Sequence, residues 1–446
     1  MTRHARLQRT LMVLVVAAGA LLTTTPTFSA GPAATGPAPA SGLTPVSLDT
    51  LERQARARVE GTARSPLTDA RSEVFAGIDS LEAPGSGRVP NYLRALALKP
   101  KTVKPFAHLL SAFIYEGGLE PEVKLAMALR IAQLQASPYA AVHIERLLRT
   151  TPRGAALLAA FKADGLARLA PADGLAVRYA ELLTRDILGV DEDTFRQVRG
   201  HYTDAGIVEL TMTTCFFNYF TRLTEGLRLQ VEPWALDATA SARPPERRGA
   251  VAPARVALIS DEEIKATSAS TQPGRPGGLP IGTMANSQRA MLRVPALALA
   301  WREYGAWTGE ASIKREIQLQ VSFAVSMANG CRYCTLHQVL GLHGLGVQPA
   351  KLLAMAKGDE ALTPQELAAV TFARSLTRRA SESRDTEYAA LQKEFGNQGA
   401  LEVLMQTCSF SFMNRLTDGL RLPSEDEAIR VYREVYGRDF ARKKGS

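Results

Sequence analysis

The chain has 446 residues and a formal net charge of +9, with 46% hydrophobic, 22% charged and 7% aromatic residues and four cysteines. These proportions exclude a disordered chain, a collagen-like chain and a small disulfide-rich protein. The length predicts two or three domains at about 100 to 200 residues per domain, and an internal repeat favours two.

The N-terminus has the pattern of a secretory signal peptide. Arg3, Arg6 and Arg9 precede an apolar run at 11–22, and small residues follow up to Ala30. The run of about twelve apolar residues is shorter than the roughly twenty that span a membrane. We therefore expect cleavage near Ala30 and export to the periplasm or the exterior; the alternative is an uncleaved N-terminal anchor.

The charge of the mature chain is modest. Removal of the leader leaves 50 basic against 44 acidic residues, or +6. Basic and acidic residues are mixed along the chain, apart from the basic stretch at 438–444. A basic stripe of the kind that binds nucleic acid is not seen, so no nucleic-acid partner is predicted.

Self-comparison reveals an internal repeat. Segment 208–228 aligns with segment 401–421 at a constant offset of 193 residues. Both segments contain the sequence Arg-Leu-Thr-Asp/Glu-Gly-Leu-Arg and a cysteine seven residues before it. Further matches at offsets of 193 or 194 are Pro171 with Pro364, Glu122 with Glu316, Tyr139 with Tyr333 and His143 with His337. A constant offset over about a hundred residues predicts duplicated domains rather than a solenoid.

Both repeats have helical patterns. Apolar residues recur every three or four positions at 123–134 and again at 317–327, and Pro171 and Pro364 suit the first turn of a helix. We predict an all-α fold with two tandem helical domains, the first of them degenerate. The predicted segments are a signal peptide (1–30), a low-complexity and N-terminal helical segment (31–90), the first domain (91–232), a linker (233–285), the second domain (286–430) and a basic tail (431–446).

Reactive side chains gather at one place, the sequence Asn-Gly-Cys-Arg-Tyr-Cys-Thr-Leu-His at 329–337. A C-x-x-C pair near a helix N-terminus brings two sulfurs together where the helix dipole favours thiolate. His337 lies one turn after Cys334, which makes Cys334 the predicted nucleophile and His337 its proton acceptor, directly or through water. Cys331 would then close a disulfide on the oxidised Cys334.

The motif at 329–337 allows other interpretations. Attachment of a c-type haem requires histidine directly after the second cysteine, where this chain has Thr335. A metal site formed by Cys331, Cys334 and His337 with His343 as fourth ligand stays open, although the prediction is that no metal is bound. A purely structural disulfide also stays open, since exported proteins often contain one.

The motif at 329–337, with Phe-Met-Asn-Arg-Leu-Thr-Asp-Gly-Leu at 412–420, resembles the carboxymuconolactone decarboxylase and alkylhydroperoxidase D superfamily in its C-x-x-C branch. The resemblance covers 290–425 and, more weakly, 95–230. It implies an all-helical fold, assembly into homo-oligomers, and reduction of organic hydroperoxides without a cofactor but with an external dithiol reductant.

The resemblance also implies roles for particular residues. It places the peroxidatic cysteine on Cys334, the resolving cysteine on Cys331 and the relay histidine on His337, although many members have that histidine one residue later. The relay glutamate of the family falls on Leu319 here. Glu316, one helical turn earlier, is the candidate to replace it, and the alternative is that Glu316 is a solvent-facing helix residue or an acid in the first turn of the helix.

The first repeat lacks the dithiol. Ser137 and Ala140 stand at the positions of Cys331 and Cys334, so this unit is predicted to be a pseudo-subunit that completes an interface. The remaining cysteines, Cys215 and Cys408, are predicted to be buried thiols in apolar helices, with a disulfide between them as the alternative.

Three functions follow from the sequence. The first is an exported thiol-dependent peroxidase or disulfide oxidoreductase, with a hydroperoxide substrate and a thiol electron donor that the sequence does not name. The second is a lactone or decarboxylase-type enzyme, against which the C-x-x-C pair argues. The third is a non-catalytic helical scaffold or binding protein that retains a structural disulfide.

Overall fold

The computed structural model describes residues 42–78, 86–163, 166–237 and 284–441. The predicted signal peptide and most of the predicted linker lie outside the described residues. The described residues all belong to one compact unit that extends over 36–446. Below, "first half" means the described residues up to 237 and "second half" means 284–441.

The first half contains nine α-helices. They are α1 (Leu48–Ala57), α2 (Asn91–Leu96), α3 (Val103–Tyr115), α4 (Pro121–Leu134), α5 (Pro138–Arg149), α6 (Gly154–Lys162), α7 (Pro171–Arg185), α8 (Glu192–His201) and α9 (Asp204–Gly226).

The second half contains eight α-helices. They are α10 (Asn286–Met291), α11 (Pro295–Gly305), α12 (Arg315–Asn329), α13 (Arg332–Gly344), α14 (Pro349–Lys357), α15 (Pro364–Arg378), α16 (Asp385–Gly419) and α17 (Asp426–Tyr436). Within the four described ranges there is no β-strand, and the predicted all-α class is confirmed.

Local sequence explains where several helices begin and end. Pro171 and Pro364 occupy the first helical positions of α7 and α15, where a missing backbone N–H leaves no hydrogen bond unmade. Thr363 and Glu366 form a reciprocal capping box at the start of α15. Gly330 ends α12 with φ of 69°, a left-handed conformation that glycine adopts without steric cost. This turn lets α13 begin at once after α12.

Helix α9 and the part of α16 after its kink at Gly396 run antiparallel and are buried along nearly all their length. A Cβ atom on Gly226, the last residue of α9, would lie 2.6 Å from Leu404. A Cβ atom on Gly419, the last residue of α16, would lie 3.5 Å from Thr211. The end of each helix therefore packs closely against the beginning of the other, and glycine permits the approach.

Two buried arginines make reciprocal hydrogen bonds between the halves. Arg222 of α9 donates to the carbonyl of Thr377 at 3.5 Å, and Arg415 of α16 donates to the carbonyl of Thr184 at 3.3 Å. Both carbonyls lie in the last turn of a helix, where the dipole is negative. Burial lowers the pKa of Arg415 to about 10. Such reciprocity is expected of a two-fold arrangement, while the duplication itself stays a prediction.

One hydrophobic core contains residues of both halves. Phe113 of α3 lies 4.5 Å from Phe216 and 6.2 Å from Phe412, measured between ring centroids. Trp301 of α11 stacks on Phe412 at 4.0 Å. The two predicted domains thus share their core, and the boundaries between them stay predictions.

The C-terminal boundary differs from the prediction. The sequence predicts a basic tail at 431–446, but α17 continues to Tyr436, and Val431, Tyr432 and Val435 are buried. The reason is an apolar stripe at helical spacing, which packs on α13 and α14. Of the described residues of the tail, 437–441 lie outside a helix, and 442–446 lie outside the described residues.

All four cysteines lie within the described ranges, and there they carry free thiols. Cys215 and Cys408 are fully buried, as predicted, and burial raises the pKa of both. In a search of the described residues, no helix was long and apolar enough to cross a membrane.

The central helix pair makes a testable contribution to stability. Leu404→Ala should lower the free energy of unfolding by about 2–5 kcal/mol, because it leaves a cavity between α9 and α16. Urea unfolding followed by circular dichroism measures the change. The matched control is Leu299→Ala on α11, whose side chain is 48% exposed and should change stability by less than about 0.5 kcal/mol. Equal effects of the two variants would contradict the described packing.

Candidate active site

The dithiol lies at the N-terminus of α13. Cys331 is the N-cap residue, and its sulfur accepts a hydrogen bond from the backbone N–H of Cys334 at 3.3 Å. Thiol and thiolate sulfur both accept such a bond, and the positive end of the helix dipole favours the thiolate. The predicted position of the C-x-x-C pair at a helix N-terminus is confirmed.

Both halves contribute to the surroundings of the sulfurs. Cys331 is fully buried and Cys334 is 3% exposed. Ile187, in the loop after α7 of the first half, packs in one apolar cluster with the two cysteines and Tyr333. Met413 and Leu422 of the second half pack against this cluster. Cys334 is therefore the more exposed of the two cysteine residues.

Helix α16 brings two polar residues to the dithiol. The Thr417 hydroxyl oxygen lies 3.4 Å from the sulfur of Cys331 and 3.5 Å from that of Cys334. The Cys331 thiol donates to Oδ1 of Asp418 at 3.3 Å. Sequence reasoning missed both residues, although Leu-Thr-Asp-Gly belongs to the repeated segment that it had identified.

The two thiols have different electrostatic surroundings. Burial raises the pKa of the Cys331 thiol well above its ordinary value, and the neighbouring Cys334 and the Asp418 carboxylate raise it further. A thiol held in this way is a poor first nucleophile. The surroundings therefore favour Cys334 as the sulfur that attacks and Cys331 as the one that resolves.

Both ring nitrogens of His337 face groups other than the sulfurs. Nδ1 lies 2.7 Å from the carbonyl oxygen of Tyr333, which only accepts, so Nδ1 carries the hydrogen. Nε2 lies 2.7 Å from Oε2 of Glu425, and the ring stacks on Tyr333 with centroids 4.2 Å apart. Among the described residues neither nitrogen contacts a sulfur, so the structure does not bring His337 to Cys334 as a direct proton acceptor.

Glu425 is the carboxylate of the site. It accepts hydrogen bonds from the Tyr333 hydroxyl at 2.8 Å and from the backbone N–H of Asn286 at 2.6 Å. Burial acts to raise the pKa of Glu425, but His337, Asn286 and Tyr333 together outweigh it and hold the pKa below its ordinary value. Glu425 is therefore ionised at neutral pH and fixes the position of the imidazole.

Glu316, the glutamate predicted from the sequence, lies elsewhere. It is in the first turn of α12, thirteen residues before Asn329, which corresponds to about 20 Å along the helix. Its carboxylate accepts hydrogen bonds from Lys351 and Gln320, both at 3.1 Å. Leu319 is buried in a different apolar cluster, away from the cysteines. The glutamate beside His337 is Glu425, which sequence reasoning did not propose.

The first half contains a counterpart of the site without thiols. The Tyr139 hydroxyl donates to Glu232 at 2.8 Å, and Nε2 of His143 lies 3.0 Å from the other oxygen of that carboxylate. Ser137, the N-cap of α5, donates to Glu225 at 2.8 Å. The tyrosine, histidine and glutamate therefore form the same network whether or not cysteines are present.

This counterpart contains the signal that would have identified Glu425. Glu232 and Glu425 are separated by 193 residues, the offset of the repeat, and so are Glu225 and Asp418. Extending the repeat a few residues beyond Arg421 would have paired the two glutamates. The chain segment between α16 and α17 does not itself resemble a catalytic motif.

A search of the described residues finds no group of three or more histidine, cysteine, aspartate or glutamate side chains arranged to hold a metal ion. The set of Cys331, Cys334, His337 and His343 left open by the sequence is therefore not assembled in that part of the chain.

Comparison with known proteins adds little. No family model and no curated protein matches the chain. Among solved structures, it is similar to the debrominase Bmp8 in its apo form and to a cysteine-to-alanine variant of Bmp8 in complex with 2,3,4-tribromopyrrole. In each case the sequence identity is 19%, the TM-score is 0.31, and the match covers 34% of this chain and 84% of the other. A likeness this low assigns no function.

The Glu425 network makes a testable contribution that depends on pH. Its lowered pKa means that ionised Glu425 stabilises the fold above the ordinary value of 4.5, and that this is lost as the pH falls through the lower folded value. Glu425→Gln should therefore reduce the free energy of unfolding by about 1.5–3 kcal/mol at pH 7 and by much less at pH 3. Urea unfolding at the two pH values measures it.

The control for this prediction is an exposed pair of the same kind. Glu303 and His108 lie 2.7 Å apart, but each side chain is more than half exposed. Glu303→Gln should change stability by at most about 1 kcal/mol at pH 7. A Glu425→Gln effect no larger than this, or one that grows in acid, would show that the network does not act as described.

Proposed function

We propose that this chain is a thiol-dependent peroxidase or disulfide oxidoreductase that works through Cys334 and Cys331. The observation that carries the proposal is the unequal pair of thiols at the start of α13. Cys334 retains a trace of exposure, whereas Cys331 is fully buried with a raised pKa and donates to Asp418. This asymmetry suits a nucleophile and a resolving thiol.

The reaction has two steps on the protein. The Cys334 thiolate attacks the terminal oxygen of a hydroperoxide, so that the O–O bond breaks and an S–O bond forms. The alkoxide takes up the proton that the Cys334 thiol had released and leaves as the alcohol. The Cys331 sulfur then attacks the Cys334 sulfenic acid. An S–S bond forms, the S–O bond breaks, and the oxygen leaves as water with the proton of Cys331.

An external dithiol completes the cycle. It supplies two electrons and two protons, which reopen the disulfide between Cys331 and Cys334. The apolar cover formed by Ile187, Met413 and Leu422 limits access to the sulfurs and favours a substrate whose reactive end is small. No metal or cofactor takes part in these steps.

His337 and Glu425 have a positioning role in this proposal. The pair orients the imidazole one helical turn after Cys334, where a proton could pass only through water. Glu316 has no part, since its contacts are with Lys351 and Gln320. The same proposal includes membership of the alkylhydroperoxidase D superfamily, export after cleavage near Ala30, duplication of the domain and assembly into homo-oligomers.

The burial of the dithiol supports a second candidate, a helical scaffold or binding protein with a structural disulfide. Two cysteine residues that are 0% and 3% exposed are as well protected as a structural pair would be. The two candidates differ in one respect that can be measured. A structural disulfide stabilises the fold, typically by about 2–4 kcal/mol, whereas a catalytic disulfide forms and breaks without large changes in stability.

The test of the proposal is oxidation by one equivalent of an organic hydroperoxide. The pre-reduced mature protein should lose two hydrogens, with the disulfide mapped by mass spectrometry to Cys331 and Cys334. Cys331→Ser should stop at a sulfenic acid on Cys334, and Cys334→Ser should react at least about 100-fold more slowly, because the nucleophile is gone.

The matched controls are Cys215→Ser and Cys408→Ser. Both thiols are fully buried in the central helices, and their raised pKa makes them unreactive, so these variants should be oxidised at the wild-type rate. Slow oxidation spread over all four cysteines, together with a large gain of stability on forming the disulfide, would exclude the peroxidase and favour the scaffold.

A further inference from the structure

We propose that Asp418 is the catalytic base that takes the proton of Cys331 when the disulfide forms. This inference rests on the proposed function. It starts from one contact, in which the Cys331 thiol donates to Oδ1 of Asp418 at 3.3 Å. Asp418 therefore touches one of the two reacting sulfurs directly.

The chemistry of the second step requires such a group. Cys331 must become a thiolate to attack the Cys334 sulfenic acid, yet its fully buried sulfur ionises with difficulty. Bulk water does not reach it to remove the proton. A carboxylate in hydrogen-bond contact receives the proton as the S–S bond forms, and the proton then leaves with the departing hydroxide as water. Atoms and charge balance without another reactant.

The geometry assigns this task to Asp418 rather than to the histidine. His337 has both nitrogens directed at Tyr333 and Glu425, and among the described residues it contacts neither sulfur. Asp418 is 9% exposed and lies in the last turn of α16, next to Thr417, whose hydroxyl contacts both sulfurs. Helix α16 thus places a proton acceptor beside the resolving thiol and a hydroxyl group in contact with both sulfurs.

The first half shows the same placement with different chemistry. Glu225, at the position of Asp418, accepts a hydrogen bond from Ser137 and forms a two-point ion pair with Arg58 at 3.0 and 2.7 Å. A serine hydroxyl does not ionise near neutral pH. In the second half, by contrast, the carboxylate accepts a hydrogen bond from a thiol whose proton the reaction must remove. The carboxylate at this position therefore has a catalytic role only where its partner is a cysteine.

Removal of Asp418 should change the rate of disulfide closure in opposite directions, depending on whether Asp418 takes a proton or acts only through its charge. The negative charge of Asp418 raises the pKa of Cys331, so its removal should increase the thiolate fraction. If Asp418 acted only through its charge, Asp418→Asn would speed up the closure of the disulfide. If Asp418 takes the proton, the same variant closes it more slowly, even though Cys331 ionises more easily.

The experiment measures both quantities. The ultraviolet absorbance of the Cys331 thiolate as a function of pH, in a Cys334→Ser background, reports its ionisation with and without Asp418→Asn. In the dithiol protein, the lifetime of the Cys334 sulfenic acid after one equivalent of organic hydroperoxide is measured by quenching with dimedone and by intact mass. We expect Asp418→Asn to lower the pKa of Cys331 and to lengthen the lifetime by about 100-fold.

Two further variants exclude a merely structural effect. Asp418→Glu keeps the carboxylate and should restore most of the closure rate, while Glu225→Gln changes the equivalent carboxylate of the first half and should leave that rate unchanged. Closure in Asp418→Asn as fast as or faster than in the wild type would overturn the inference.

Failure of the proposed function gives a separate result. In that case the wild-type protein forms no sulfenic acid with the hydroperoxide, whatever residue is at 418. Diamide then replaces the hydroperoxide, because it forms an adduct on a thiolate that the second thiol displaces to give the same disulfide. Slower displacement in Asp418→Asn than in wild type would support the role of Asp418, and an equal or higher rate would overturn it.

Discussion

The antiparallel contact between α9 and the second part of α16 is the feature on which the rest of the molecule depends. Close approach at Gly226 and Gly419 allows the two helices to bury nearly all their side chains, including Arg222 and Arg415. Because the helices run in opposite directions, the end of α16 reaches the last turn of α7 in the first half. That is where Ile187 packs on the cysteines and where Thr417 and Asp418 meet them. The dithiol site is therefore built from both halves, although all its reactive atoms belong to one.

Comparison of the two halves distinguishes the residues that support the site from the cysteines that react. Tyrosine, histidine and glutamate form one network around Glu232 and another around Glu425, but only the second adjoins cysteines. A network that persists without the thiols owes its presence to folding, since it joins the start of α2 or α10 to the helix that carries the motif. In the second half the same network has a further consequence, because it directs His337 away from the sulfurs. The acceptor for the proton of the resolving thiol then comes from α16, as Asp418.

Burial has opposing effects at the dithiol. It protects both sulfurs from solvent and raises the pKa of Cys331, which slows any reaction that begins with that thiolate. The helix N-terminus and the residual exposure of Cys334 act in the other direction. A pair with such unequal sulfurs suits a reaction in which one thiol attacks first and the other responds. A structural disulfide does not require its two cysteines to differ in exposure or in the pKa of their thiols. This is the physical distinction between the two candidate functions.

Local sequence determined the helices, their first turns at Pro171 and Pro364, and the place of the C-x-x-C pair at a helix N-terminus, because these depend on spacing and backbone conformation within a few residues. It also determined that the first half has no dithiol. Only the tertiary structure decided which carboxylates meet the site: Glu316 is separated from it by the length of α12, whereas Glu425 and Asp418 reach it from segments about ninety residues further along the chain. The end of α17 was likewise decided by packing on α13 and α14. Contacts between distant segments depend on how helices cross, and helical periodicity contains no information about that.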